Sequence, residues 1–170
     1  MNTAHLHLLL NHLPILGSIF GLALLAWGLL RRDQTVAKTG LVTLVLAALS
    51  ALPAYFTGEP AAGLVRRAPG ARRAAIHPHE NAASAASVAL WIVACFAVWL
   101  LVRFRGEGHP LPRRHLALAV VGAVVVSGLM GWTSLLGGEI RHSEIRGDAI
   151  DSRIGAASEA ETGAGIRPRR

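Results

Sequence analysis

An all-α integral membrane protein, built as a four-helix bundle, is the fold class this sequence predicts. Of its 170 residues 52% are hydrophobic, the mean hydropathy is +0.45, and only 16% are charged. Soluble domains carry about a quarter charged residues. The apolar residues gather in four stretches, each with about the 20 residues a helix needs to cross roughly 30 Å of hydrocarbon. A helix satisfies its own backbone hydrogen bonds, so helices are the natural way to cross lipid.

The first span covers about 13–30 and contains no charged residue. No basic region precedes it, and it runs into Leu29-Leu30-Arg31-Arg32 rather than a small-residue cleavage site. It therefore reads as a retained span, not a signal peptide. Gly17 and Gly21 make a small-xxx-small pair with Gly28 on nearly the same face, which lets a neighbouring backbone approach. The second span covers about 39–57, and Pro53 within it predicts a kink, because proline removes a backbone donor and crowds the preceding turn. The third, about 82–102, opens with Ala82-Ala83-Ser84-Ala85-Ala86-Ser87, a run of small side chains that suits close packing or a flat cofactor. The fourth covers about 115–136, where Gly122, Gly128 and Gly131 are expected to admit a neighbour. Short connections between spans one and two, and between three and four, make adjacent helices antiparallel. Residues 1–146 thus form one transmembrane domain. Residues 147–170 mix Ala, Gly, Ser, Glu and Arg without an apolar period and read as a mobile polar tail.

The net charge of +7 and isoelectric point near 11.4 do not point to nucleic acid. The basic residues sit in loops and tails beside apolar spans, where they anchor helices and meet anionic headgroups; the expected partner is the lipid bilayer. Arg31, Arg32 and Lys38 flank the first connection, and Arg103, Arg105, Arg113 and Arg114 flank the third. Short basic connections favour the cytoplasm, which puts both termini on the outer side. The single cysteine, Cys95, lies inside the third span and is expected to be a small packing residue.

That threading gathers six of the eight histidines, His5, His7, His12, His77, His79 and His142, at one end of the bundle; His109 and His115 fall at the other. Imidazole is the commonest side-chain metal ligand, and ionisable groups near membrane depth invite a functional reading. On a helix His7 and His12 are about 140° apart around the axis, so they serve two centres more readily than one. His77-Pro78-His79-Glu80-Asn81 immediately precedes the third span, where Glu80 and Asn81 can cap backbone amides or hold an imidazole's second nitrogen. After the fourth span, Gly137 and Gly138 are expected to let the chain turn sharply, so that His142 folds back over the bundle. His7, His12, His79 and His142 are the candidate cofactor or metal ligands.

Two segments, His7…His12-Leu13-Pro14-Ile15 and Gly137-Gly138-Glu139-Ile140…His142, resemble a family of small four-helix prokaryotic membrane proteins catalogued as a domain of unknown function. Some of its members are fused to Rieske iron–sulfur domains. The resemblance covers roughly residues 5–146 and implies a four-helix fold in a prokaryotic plasma membrane and a redox setting. The chain departs from the commoner form at Leu8, where a proline follows the first histidine, and at Arg141-His142-Ser143, which replaces an aromatic-His-Gly segment.

The leading expectation is a b-type cytochrome with haem b held between histidines of different helices. Haem takes axial ligands on both faces of a planar ring in an apolar slot, and no Cys-x-x-Cys-His sequence for covalent attachment is present. His12 and His79 are the expected first axial pair, with His7 and His142 a second pair or a separate site. Such a protein passes electrons between a membrane quinone pool and a redox partner at the outer face and is not a stand-alone enzyme. The alternative is a membrane metal-binding or transport protein using the same imidazoles for a copper, zinc or iron ion. A third reading is a structural anchor subunit of a redox complex. Hydrolysis finds no support: there is no Gly-x-Ser-x-Gly elbow or P-loop, and the string begun by His79-Glu80 reaches Ala83 where a zinc protease needs histidine.

Overall fold

Polar residues flanking the apolar spans continue the helices instead of ending them. The structure, a computed structural model, describes residues 2–106 and 110–142. Helix α1 runs Thr3–Arg31 and α2 runs Gln34–Val65; a single 3-10 turn, Arg73–Ala75, leads into α3, Ile76–Arg103, and α4 runs Arg113–Arg141. All four are long and apolar enough to cross a membrane, and there is no strand among the described residues. At 29 residues, α1 is about 43 Å long at 1.5 Å per residue, so its ends reach beyond the hydrocarbon.

Local chemistry explains the helix ends. The Asn2 side chain accepts from the His5 amide at 3.0 Å, capping α1 before any histidine is reached. Pro14, Pro53 and Pro60 all lie inside helices. Pro78 lies in the first turn of α3, where a missing N–H does no harm. Between α1 and α2 there are only two residues. Arg32 takes the left-handed conformation (φ 57°) and its amide bonds Gly28 O, while Asp33 Oδ1 accepts from the amides of Thr35 and Val36 at 2.9 and 3.0 Å.

Helix α1 packs on α2 and α4, and α3 packs on the same two, which puts α1 and α3 on one diagonal. The α1–α2 seam is the tightest. A Cβ on Gly28 would lie 2.6 Å from the Ala37 backbone nitrogen, and one on Gly40 2.8 Å from that of Leu25. Gly122 abuts Val93, as expected of a packing glycine. Gly128 and Gly131 depart from that expectation: nothing lies within 4 Å of where their Cβ atoms would be. Cys95 is also exposed rather than packed.

The core changes character along the bundle. Leu25, Leu41, Leu44, Leu100 and Leu116 fill the end that carries the α1–α2 turn. Toward the opposite end Ala47, Ala48, Ala51, Ala86 and Ala94 are buried together with Leu90, Val126 and Met130. The outer surface is apolar, as a lipid-facing surface must be. Trp27 and Trp99 ring it near Arg31 and Arg103, and Tyr55, Phe56 and Trp132 ring it toward the other end. Gly28 abuts Ala37, so the two belts are separated by about 18 residues of α2, or about 27 Å. That matches the thickness of a bilayer core with its aromatic girdles. His109 and the 147–170 tail lie outside the described residues.

Candidate cofactor site

His7 and His79 each reach across to the backbone of the next helix in the chain. His7 Nδ1 lies 3.0 Å from the Ala54 carbonyl oxygen and 3.2 Å from Thr57 Oγ1 on α2. His79 Nδ1 lies 3.0 Å from the Thr133 carbonyl oxygen on α4. A carbonyl only accepts, so each Nδ1 carries the proton and donates it. The Thr57 hydroxyl donates to the Pro53 or Ala54 carbonyl, at 2.8 and 3.0 Å, which leaves its oxygen able to accept from His7. In the neutral rings this tautomer leaves Nε2 unprotonated and bearing the lone pair. This is the arrangement of a metal-ligating imidazole, whose second nitrogen donates to a carbonyl and so fixes tautomer and orientation.

Glycine makes room for both rings. A Cβ on Gly58 would meet His7 Cε1 at 3.5 Å; one on Gly137 would meet His79 Cε1 at 3.1 Å and Nδ1 at 3.2 Å. Gly137 and Gly138 are therefore helical residues of α4, not the sharp turn expected from their sequence. The reason is that α4 continues to Arg141 to receive His79.

His12 and His142 do not join this pair. His12 is exposed, and its Nδ1 bonds back to Leu8 O of its own helix. The buried stripe of α1 runs through Pro14, Ser18, Gly21, Leu25 and Gly28. His7 lies on that stripe, whereas His12, about 140° away, lies off it. His142 is exposed and caps the end of α4. His5 and His77 are exposed as well; His77 lies 3.2 Å from Glu80, which also holds Arg66 at 3.2 Å and so ties the end of α2 to the start of α3. His115 sits at the arginine end among Phe96, Trp99 and Phe104. The expected four-histidine set thus reduces to two. Among the described residues no three or more His, Cys, Asp and Glu side chains converge.

The two anchored rings stand on the diagonal helices α1 and α3 at the same end of the bundle. Inward of them, the small residues Ala51, Ala54 and Ala86 leave little side-chain bulk. Asn11, one turn from His7 and about 40° around the axis, has a buried Oδ1 with no hydrogen-bond partner. An unmet acceptor of this kind costs about 1–3 kcal/mol. His7 and His79, each with a second ring nitrogen left to bind, are the two residues here that would hold a cofactor. Asn11, Thr57 and Gly58 escaped the sequence reading, and Gly137 was expected only as a turn. The signal for the rotational phase was present, because His7 falls on the face of Gly21 and Gly28 at helical spacing. No protein-family model, curated protein or solved structure matches the chain.

Proposed function

We propose that this protein is a membrane electron-transfer protein of the b-type cytochrome kind, with haem held non-covalently by His7 and His79. The observation that carries the reading is the shared anchoring of these two imidazoles: Nδ1–H to a backbone carbonyl, ring against glycine, Nε2 left as a donor. Haem, when bound, supplies one-electron iron chemistry. The chain supplies the rest. The Ala54 and Thr133 carbonyls hold the rings and raise the basicity of Nε2. The neighbouring buried residues are largely alanines, and the leucine core lies beneath them.

His7 sits against α2 beside Tyr55 and Phe56, at the level of the aromatic belt. A group held there is within reach of a protein partner in the aqueous phase and of a quinone in the membrane. With the basic connections in the cytoplasm of a prokaryotic cell, that partner docks at the outer face. The resemblance to a family with Rieske-fused members agrees with such a redox setting.

The test is a reduced-minus-oxidised absorption spectrum of the full chain purified with haem. An α-band of low-spin b-type haem is expected, lost in His7→Ala and in His79→Ala but retained in His12→Ala and His142→Ala. No haem band in the wild-type chain, or loss of the band in His12→Ala with retention in His7→Ala, overturns the proposal.

A further inference from the structure

The molecule carries the same helical hairpin twice. Helices α1 and α3 end at Arg31 and Arg103, 72 residues apart; α2 and α4 begin at Gln34 and Arg113, 79 apart. The seven-residue difference is the extra length of the second connection, 104–112 against 32–33. With that one insertion removed, the sequences of the halves align in register. Every buried residue of α4 falls on a buried residue of α2, from Leu116 on Ala37 to Thr133 on Ala54. Pro14, Ser18, Leu25 and Gly28 fall on the buried Ala86, Leu90, Ala97 and Leu100 of α3.

A heptad pattern matches itself whenever it slides by seven, so burial alone does not fix the register. The site fixes it. His7 and His79 are 72 apart, their carbonyl partners Ala54 and Thr133 are 79 apart, and their glycine seats Gly58 and Gly137 are 79 apart. The same offset of 72 carries His5 onto His77, Trp27 onto Trp99 and Arg31 onto Arg103. Helix α1 packs on α4 to the same extent as α2 on α3, as a twofold relation requires, whereas the α1–α2 seam is much closer than that of α3 and α4, so the relation is approximate.

We infer that the bundle is a fused pair of equivalent hairpins about a pseudo-twofold axis along the membrane normal, and that His7 and His79 are one ligand written twice, closing both axial positions of the iron between them. Parallel repeats of this kind place their shared site on the axis. The second half of the inference rests on the haem reading; the equivalence of the two imidazoles does not. It also specifies what the site excludes: with an anchored imidazole on each side, no position is open to a small exogenous ligand. The site therefore passes electrons and does not bind or activate a gas.

Two measurements on the full chain in micelles test this. In the haem-free protein, nitrogen-15 NMR of the histidines should show His7 and His79 both as the Nδ1–H tautomer. Different tautomers at His7 and His79 overturn the equivalence, whether or not haem binds. In the haem-loaded, reduced protein, carbon monoxide should leave the wild-type spectrum unchanged. His7→Gly and His79→Gly should each become able to bind it, and added imidazole should restore the low-spin spectrum in both. Carbon monoxide binding by the wild type, or opening of the site by only one of the two variants, contradicts the closed, symmetric site. Absence of haem under all conditions sinks the haem reading and the closure that rests on it, and leaves the equivalence to be decided by the tautomers.

Discussion

Two glycines set how near the imidazoles can lie to their helices, and they do so with unequal tolerance. A methyl group at Gly137 would stand 3.1 Å from the His79 ring, tighter than ordinary contact, whereas one at Gly58 would stand 3.5 Å from His7. Gly137→Ala is therefore expected to push His79 off the Thr133 carbonyl and to lower the fraction of low-spin haem, with Gly58→Ala close to wild type. Absorption spectra of the two variants, loaded identically, check this; equal spectra would mean that the rings are not seated on glycine. What the sequence revealed at this scale is uneven. That histidines cluster at one end follows from threading alone, and so does the divergence of His7 and His12. Which of the two faces inward depends on the rotation of α1, which is set by Gly17, Gly21 and Gly28 packing against α2. Choosing His12 required ignoring that stripe.

At the scale of the element, the α1–α2 hairpin holds the first half of the site in place. Its seam brings backbone to backbone at Gly28 and Gly40, where no flexible side chain can give way. Gly28→Ala is expected to destabilise the bundle by about 1–3 kcal/mol, the usual cost of overpacking a tight contact. Gly128→Ala, with open space around it, is expected to be neutral or stabilising by up to about 1 kcal/mol through helix propensity. Unfolding of the two variants in mixed micelles separates these outcomes, and equal losses would place the tight seam elsewhere. Hydropathy located all four spans but ended them too early. Lipid demands apolar residues only across the hydrocarbon, while the helical hydrogen bonds continue through Thr3–His12 and Gly58–Val65 into the headgroup region. His7 and His79 were consequently read as flanking residues when they are helical ones. Gly137-Gly138 was read as a turn because glycine's freedom to turn is visible in a sequence, and its use as a seat for a ring from another helix is not.

For the molecule as a whole, the two ends have different jobs. One end is filled by leucines and bordered by arginines, and it holds the helices together and in the bilayer. The other is built largely of alanines, with Leu90, Val126 and Met130 among them, and carries the two anchored imidazoles. The repeat explains how those imidazoles come to stand on diagonal helices: a ligand that occurs once in each hairpin has its counterpart across the axis. The repeat was faintly legible in His5-x-His7 and His77-x-His79 and in the matching Trp27…Arg31 and Trp99…Arg103. Lipid-facing positions accept almost any apolar side chain, so little else of it survives in the letters. The central claim is that His7 and His79 ligate the same iron. Redox potentiometry of the haem-loaded variants His7→Met, His79→Met and His12→Met tests it most directly, because replacing an axial imidazole by a thioether raises the potential. The potential should rise in His7→Met and in His79→Met and stay at the wild-type value in His12→Met; a rise in His12→Met with none in His7→Met would contradict the pairing.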